Sequence, residues 1–156
     1  MKPLKLQAQL KDKKSSAHRE VQIGAVPFLI ENNQLKVVLV TSRSGRQWLF
    51  PKGHDELHMT RKGVARTEAY EEAGLLGSIG PKRYTVTCLR RCHGRLRLHT
   101  FYPMEVTYLL PKWPEMHQRR RKVVSIAKAM RMLSCSSLKS VLAEMLAEVK
   151  PLRRAA

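Results

Sequence analysis

Residues 53–75 read "GHDELHMTRKGVARTEAYEEAGL", and the last third of that stretch decides how the rest of the chain is read. Glu68, Glu71 and Glu72 stand close together in a chain that holds only 12 acidic residues against 30 Lys and Arg, for a formal net charge of +18. Thr60 to Ala73 reads as a helix. Gly74 suits the left-handed residue that follows a helix end, with Leu75 and Leu76 packing against the last turn. On a helix, residues three and four apart are neighbours. The three carboxylates therefore spread over an arc of about 100° and converge on one face.

Converging carboxylates repel, and without compensation one of them is harder to ionise. Local compensation would be a Lys or Arg three or four positions away. The neighbours at those positions are Val64, Ala65, Thr67, Ala69, Gly74, Leu75, Leu76 and the glutamates themselves, none of them basic. Arg61, Lys62 and Arg66 are near in sequence, but helix geometry directs them elsewhere. Compensation must come from outside the helix: a divalent cation, a tertiary Arg or Lys, or water. The apolar neighbours and the basic loops on either side favour a cation. Mg²⁺ takes one or two protein carboxylates, keeps waters and also binds substrate phosphates. Such a site neutralises phosphoryl charge and activates a water.

Working outward, "VQIGAVPFLI" and "LKVVLVT" flank the turn-forming "ENNQ" and predict strand, turn and strand. "SRSGRQ" reads as a basic loop, "WLF" as a short strand and "PKGHDELHMT" as a loop. "RYTVTCLRR" and "RLRLHTFY" read as two strands joined through "CHG". "MEVTYLL" reads as a further strand after Pro103, and "PKWPEMHQ" as a loop. "RRRKVV" reads as a basic strand. Ser125 is placed to cap a helix over "IAKAMRML". Ser136 or Ser137 caps a last helix to about Val149, whose apolar side is Leu138, Val141, Leu142, Met145, Leu146 and Val149. Strands, one inserted helix, more strands and then helices predict an α/β (α+β) domain with helices against a mixed sheet. The boundaries are a basic, partly mobile arm over 1–20, one domain over 21–150 and a tail over 151–156.

The helix is preceded by "FPKG", and the whole stretch resembles the Nudix hydrolases. Their motif begins with Gly, here Gly53, and ends in Glu-apolar-any-Glu-Glu-any-Gly-apolar, here Glu68 to Leu75. Met59 and Thr67 stand where the family has a Glu and an Arg, and that missing Arg is part of the absent local compensation. "GAVPFLI", "VVLVTSR" and "WLFPKG" follow the family's strand order, and the likeness runs from about Val21 to Leu133. The resemblance implies a mixed sheet sandwiched between helices. It also implies Mg²⁺ or Mn²⁺ bound by Glu68, Glu71, Glu72 and the Gly53 carbonyl. Water would then attack a phosphoanhydride bond of an organic di- or polyphosphate, with Glu68 and Glu72 catalytic. "VTSR", "FPKG" and "WPE…RRR" look most like the diphosphoinositol polyphosphate phosphohydrolase branch, so a diphosphoinositol or dinucleoside polyphosphate is the implied substrate class. Arg43, Arg46, Lys52 and His54 fall in loops flanking the helix and are the candidate substrate-binding groups, with Arg119, Arg120 and Arg121 approaching. The alternative is a Nudix-like module that binds a phosphorylated ligand, or an RNA 5′ end, without turnover.

The composition narrows the classes. At 43% hydrophobic and 27% charged residues the chain reads as globular. The longest apolar runs are too short to cross a bilayer, and the N-terminus does not read as a secretory signal, so a cytoplasmic location is expected. Three cysteines are too few for a disulfide framework. The positive excess attracts anions, nucleic acid among them, and Arg90 to Arg97 is the segment that would present such a surface. "HDELH" (His54 to His58) matches no zinc motif in spacing. Cys88, Cys92, His93 and His99 are explained by two strands and a hairpin without a metal. Glu144 and Glu148 read as a solvated helix face.

Overall fold

The computed structural model describes residues 20–90 and 95–154. The basic arm expected over 1–20, Glu20 apart, and the Cys92–His93 turn lie outside the described residues. Two long strands organise the sheet. β1 (Glu20–Glu31) runs parallel to β7 (Arg95–Leu109), in register from Glu20↔Arg97 to Phe28↔Glu105. The other edge of β1 is shared. Its end pairs antiparallel with β2 (Gln34–Thr41), and its beginning pairs with β4 (Lys52–His54). β2 in turn carries β3 (Trp48–Leu49) and β8 (Arg121–Ser125). β7 carries β5 (Leu75–Ile79) and β6 (Tyr84–Arg90), both antiparallel.

The β1–β2 connection turns on Asn32 and Asn33, both with positive φ (51° and 63°). Two left-handed residues match the twist of a tight hairpin, and Asn tolerates that conformation. Three elements depart from the sequence reading. Lys52–His54 is a strand rather than loop, because β1 is long enough to offer it an edge beyond β2. β5 was not anticipated: Leu75 is buried, but Leu76 is 43% exposed and lies on the sheet instead of packing on the helix end. β7 passes through Pro103 as one strand, with Pro103 opposite Val26 in the parallel ladder.

Alternation along the strands builds two cores. Val37 and Leu39 face one side with Val26, Phe50 and Phe101; Val38 and Val40 face the other with Ile23, Ala25, Tyr102 and Met104. The first side is covered by α2 (Ile126–Met132, capped by Ser125) and α3 (Ser136–Arg154). From α3, Leu138, Val141, Leu142, Met145 and Leu146 are buried, each worth roughly 1.5–3 kcal/mol against exposure. The α3 helix runs on to Arg154, into the stretch read as a tail. The second side is covered by α1 (Arg61–Ala73), which buries Val64, Ala65, Ala69 and Ala73. Alanines on that face let α1 lie close to the sheet, and they fix which way its remaining residues point. Glu148 is not simply solvated: Lys82 pairs with it and Tyr84 Oη donates to it at 2.8 Å.

Candidate functional site

The glutamate helix is fixed at both ends. Thr60 Oγ1 accepts from the Gly63 N–H at 3.1 Å, satisfying one of the donors a helix start leaves over. At the other end Gly74 adopts φ 61° and its N–H bonds to Tyr70 O at 2.9 Å. The carbonyls that a helix end orphans are then satisfied in turn by the segment leading from β7 to β8. The Glu115 N–H bonds to Glu71 O (3.0 Å), Trp113 Nε1 to Glu72 O (3.1 Å), Arg121 Nη1 to Ala73 O (2.8 Å) and the Leu110 N–H to Gly74 O (2.8 Å). The Arg121 guanidinium lies 4.2 Å over the Trp113 ring. It puts a cation at the negative end of the helix dipole.

Because the alanine face is buried, Glu68, Glu71 and Glu72 project along one side, into a cavity of about 400 Å³ between α1, β4 and the loop after β2. Glu68 lies flat on Gly53: a Cβ at residue 53 would stand 2.0 Å from its Oε1 and 2.2 Å from its Cδ. Glu72 is 5% exposed. Its Oε1 pairs with Arg119 Nη2 at 2.5 Å and its Oε2 accepts from the Lys52 N–H at 3.2 Å. Arg119 also donates from Nε to Glu115 (2.5 Å) and from Nη1 to Thr41 O (3.0 Å). Arg43 reaches Glu115 at 3.3 Å.

The electrostatics follow from this arrangement. Burial, reinforced by the charges of Glu71 and Glu115, pushes the Glu68 carboxyl up to about 7. Burial also pushes Glu72 up to about 7, against the pull of Arg119 and the Lys52 N–H. For Glu115 burial acts upward too, but the bonds from Arg119 and Arg43 outweigh it and the group sits below its ordinary range.

Of the residues singled out in the sequence, Arg43, Lys52, Gly53, His54, Glu68, Glu71 and Glu72 line this one cavity. Arg46 is exposed and does not line it. Of the three consecutive arginines only Arg119 enters. Arg120 stacks on Trp48 at 5.4 Å, and Arg121 caps the helix. The His54 and His58 imidazoles lie 3.4 and 3.8 Å from the carboxylates of Glu20 and Glu56. Of the Cys88, Cys92, His93 and His99 set, only the His99 side chain falls among those described, and it is buried in the sheet. Glu115, Trp113 and Thr41 were not anticipated. Elimination on the helix left a tertiary Arg or Lys as one of three compensations beside a cation and water, and spacing does not say which loop would supply it.

Three His, Cys, Asp or Glu side chains do not yet close into a cation cage among the described residues. The donors present nevertheless fit Mg²⁺: hard carboxylate oxygens, of which those of two carboxylates, Glu68 and Glu71, form no hydrogen bond or ion pair among the described residues. Mg²⁺ needs only one or two carboxylates besides water and phosphate.

No family model matches the chain. Among curated proteins it is 30% identical over 118 residues to the mitochondrial Nudix hydrolase 17 of Arabidopsis thaliana, covering 71% of this chain and 65% of that protein. To the human diphosphoinositol polyphosphate phosphohydrolase NUDT4B it is 29% identical over 125 residues, covering 79% of this chain and 66% of that one. The chain spans about two thirds of the length of most of the curated relatives it matches, from 58% for Nudix hydrolase 4 to 76% for Nudix hydrolase 16 of Arabidopsis thaliana. Among solved structures, an Ap4A hydrolase complex from C. elegans superposes with a TM-score of 0.71 at 17% identity, over 85% of this chain and 98% of that one. The NUDIX domain of Shewanella oneidensis NrtR, complexed with ADP ribose, gives 0.67 at 16% identity over 96% and 99%. At those identities the likeness is one of fold.

Proposed function

The chain belongs to the Nudix hydrolase family, and from that premise we propose that it hydrolyses a phosphoanhydride bond in an organic di- or polyphosphate with the help of Mg²⁺ or Mn²⁺. The observation that carries this reading is the meeting of both signs of charge in one cavity. Glu68, Glu71 and Glu72 line its α1 wall, and Arg43 and Lys52 line the same cavity, with His54 beside them. A purely cationic pocket would hold a polyphosphate and do nothing to it; a purely acidic one would repel it.

In this reading Glu68, Glu71 and Glu72, with the Gly53 carbonyl, would hold the cation. When bound, the cation neutralises phosphoryl charge and lowers the pKa of a water. The remaining work falls to the chain. Glu68, pinned over Gly53, orients the attacking water and takes its proton. Arg43 and Lys52 hold the phosphate oxygens and offset the charge that builds on them. Glu72, the second catalytic carboxylate, is oriented on that wall of the cavity by Arg119. A diphosphoinositol polyphosphate or a dinucleoside polyphosphate is the proposed substrate class. It is supported by the names of the human relative and of the nematode structural neighbour.

A second reading, phosphorylated-ligand or RNA 5′-end binding without turnover, is favoured by Thr67 and Met59 at motif positions and by the engagement of Glu72 with Arg119. A phosphate- and pyrophosphate-release screen separates the two. It covers nucleoside diphosphate derivatives, dinucleoside polyphosphates, inositol pyrophosphates and 5′-triphosphorylated RNA, with and without Mg²⁺. Cation-dependent release from one class supports the hydrolase. Tight binding with no release from any class supports the second reading.

A further inference from the structure

Gln22 lies near the start of β1, where that strand is paired on both sides. In register it stands opposite His54 of β4 on one side and His99 of β7 on the other, so the three side chains share one face of the sheet. It is 8% exposed, and it lines the same cavity as the three glutamates, Arg43 and Lys52. Its side chain nevertheless forms no hydrogen bond among the described residues, and its Oε1 is a buried acceptor without a partner. Nearly all buried polar groups are hydrogen-bonded, and an exception calls for a cause. Here the exception sits at the wall of the one cavity in which the chemistry is placed.

We propose that Gln22 is a specificity-determining residue, whose amide oxygen accepts from an O–H or N–H on the organic group that carries the phosphates. This rests on the cavity holding the organic polyphosphate proposed above. The cavity already offers Arg43 and Lys52 to the phosphates. An ionised phosphoryl oxygen has no proton to give, so phosphate alone leaves the orphaned oxygen as it is. A hydroxyl of a sugar or polyol satisfies it, and so does the amino group of a base. The last torsion of a glutamine is soft, so the amide can turn its oxygen to the ligand while the strand beneath it stays paired. A site built to bond a substrate O–H or N–H rejects the analogue that lacks it far more strongly than an apolar pocket rejects a missing methylene. Gln22 therefore selects a substrate with a free hydroxyl or amine over a ring on which every hydroxyl is phosphorylated.

The test reads binding by calorimetry, with Mg²⁺ present, to analogues in which methylene replaces the bridging anhydride oxygen, so that none is cut. The probes are a diadenosine tetraphosphate analogue and its counterparts without the base amino groups or without the ribose hydroxyls. Beside them stand a diphosphoinositol polyphosphate analogue with one ring hydroxyl free and its fully phosphorylated counterpart. Gln22→Met keeps the length of the side chain and removes the amide. It should weaken at least one donor-bearing probe tenfold or more, and the counterpart lacking that donor less than threefold. The arm in which this happens tells base amine, ribose hydroxyl and ring hydroxyl apart. Without ligand, Gln22→Met should melt no lower than the wild type, because the orphaned oxygen is gone. A residue needed only for the fold would lower the melting temperature and leave the order of the probes unchanged. The proposal is overturned if Gln22→Met weakens each probe and its counterpart alike, or weakens none. If Gln22→Met does not fold, Gln22→Leu is read in the same way. Failure of both to fold also overturns it, since an unpartnered amide is not what holds a strand together. A wild type that binds none of the probes overturns the polyphosphate reading itself, an outcome distinct from wild-type binding in Gln22→Met.

Discussion

Gly53→Ala isolates the contact on which the site turns. The added Cβ would stand 2.0 Å from Glu68 Oε1, 2.2 Å from its Cδ and 2.7 Å from its Oε2. A carbon and an oxygen sit comfortably at about 3.3 Å, so the carboxylate must retreat by roughly 1.3 Å. Its helix will not retreat with it, because Val64, Ala65 and Ala69 are flat against the sheet. The side chain has a free end, and Gly53 is not in the left-handed region. The substitution should therefore cost no more than about 1 kcal/mol of stability, the low end for overpacking. Catalysis is less forgiving. A misplacement of about 1 Å can cost on the order of 10²-fold, equivalent to roughly 2.7 kcal/mol of barrier. The assay is Mg²⁺-dependent product release by folded protein, with a melting curve beside it. Turnover within threefold of the wild type at an unchanged melting temperature would refute the reasoning. So would a collapse in stability, because the helix rather than the side chain would then have moved.

Three other outcomes are expected. Gly74→Ala places a Cβ 2.7 Å from Trp113 Cβ at φ 61°; a left-handed non-glycine costs roughly 1–2 kcal/mol, so urea titration should register a loss of about 2–4 kcal/mol with the contact included. His99 is lowered to about 4 by burial, helped by Lys52 and Arg97. The unfolded chain thus binds a proton that the folded one refuses. The stability present above the unfolded value of about 6.5 should be lost between pH 6.5 and 4, by on the order of 2–3 kcal/mol, and His99→Gln should flatten that slope. Glu68, raised to about 7, acts in the opposite sense: without cation its contribution is present below about pH 4.5 and is lost as pH rises through 7. Mg²⁺ should therefore raise the melting temperature more at pH 8 than at pH 6, by up to about 2.7 kcal/mol at a hundredfold excess over its dissociation constant, and Glu68→Gln should remove the difference.

The helix was legible because every cue agreed: Thr60 to start it, Gly74 to end it and alanines spaced to one face. The last helix was legible for the same reason, from a stripe that the structure buries at Leu138, Val141, Leu142, Met145 and Leu146. β4 and β5 were not. Three residues of strand, or a strand opening Leu-Leu-Gly, have too little alternation to signal themselves, and each exists only because β1 or β7 offers an edge. Proximity in the cavity was half legible. Gly53 and Glu68 are joined by the geometry of one loop and one helix, which a motif can encode. Glu72 and Arg119 are 47 positions apart and are joined by the return of the chain from β7 to β8. No periodicity encodes a contact of that kind. What the sequence did contain was the need for some compensation from outside the helix, in the absence of any base on it.

The Glu72–Arg119 contact also helps a chain of +18 keep an acidic wall. The segment from Leu110 to Arg121 does two jobs with the same residues. Its backbone and Trp113 satisfy the carbonyls at the end of α1, which sets where the helix stops. Its Arg119, itself paired with Glu115, then meets the Glu72 carboxylate that the helix presents. Position and charge are therefore coupled. A change that loosens the loop moves the glutamates and strips Glu72 of its partner in one step. A change that removes the charge leaves the buried Glu72 carboxylate without its ion-pair partner, at a cost of roughly 3–5 kcal/mol for a broken buried ion pair. Arg43, reaching Glu115 with its side chain 71% exposed, is near enough to the acidic wall to be oriented by it and open enough to turn towards an incoming anion.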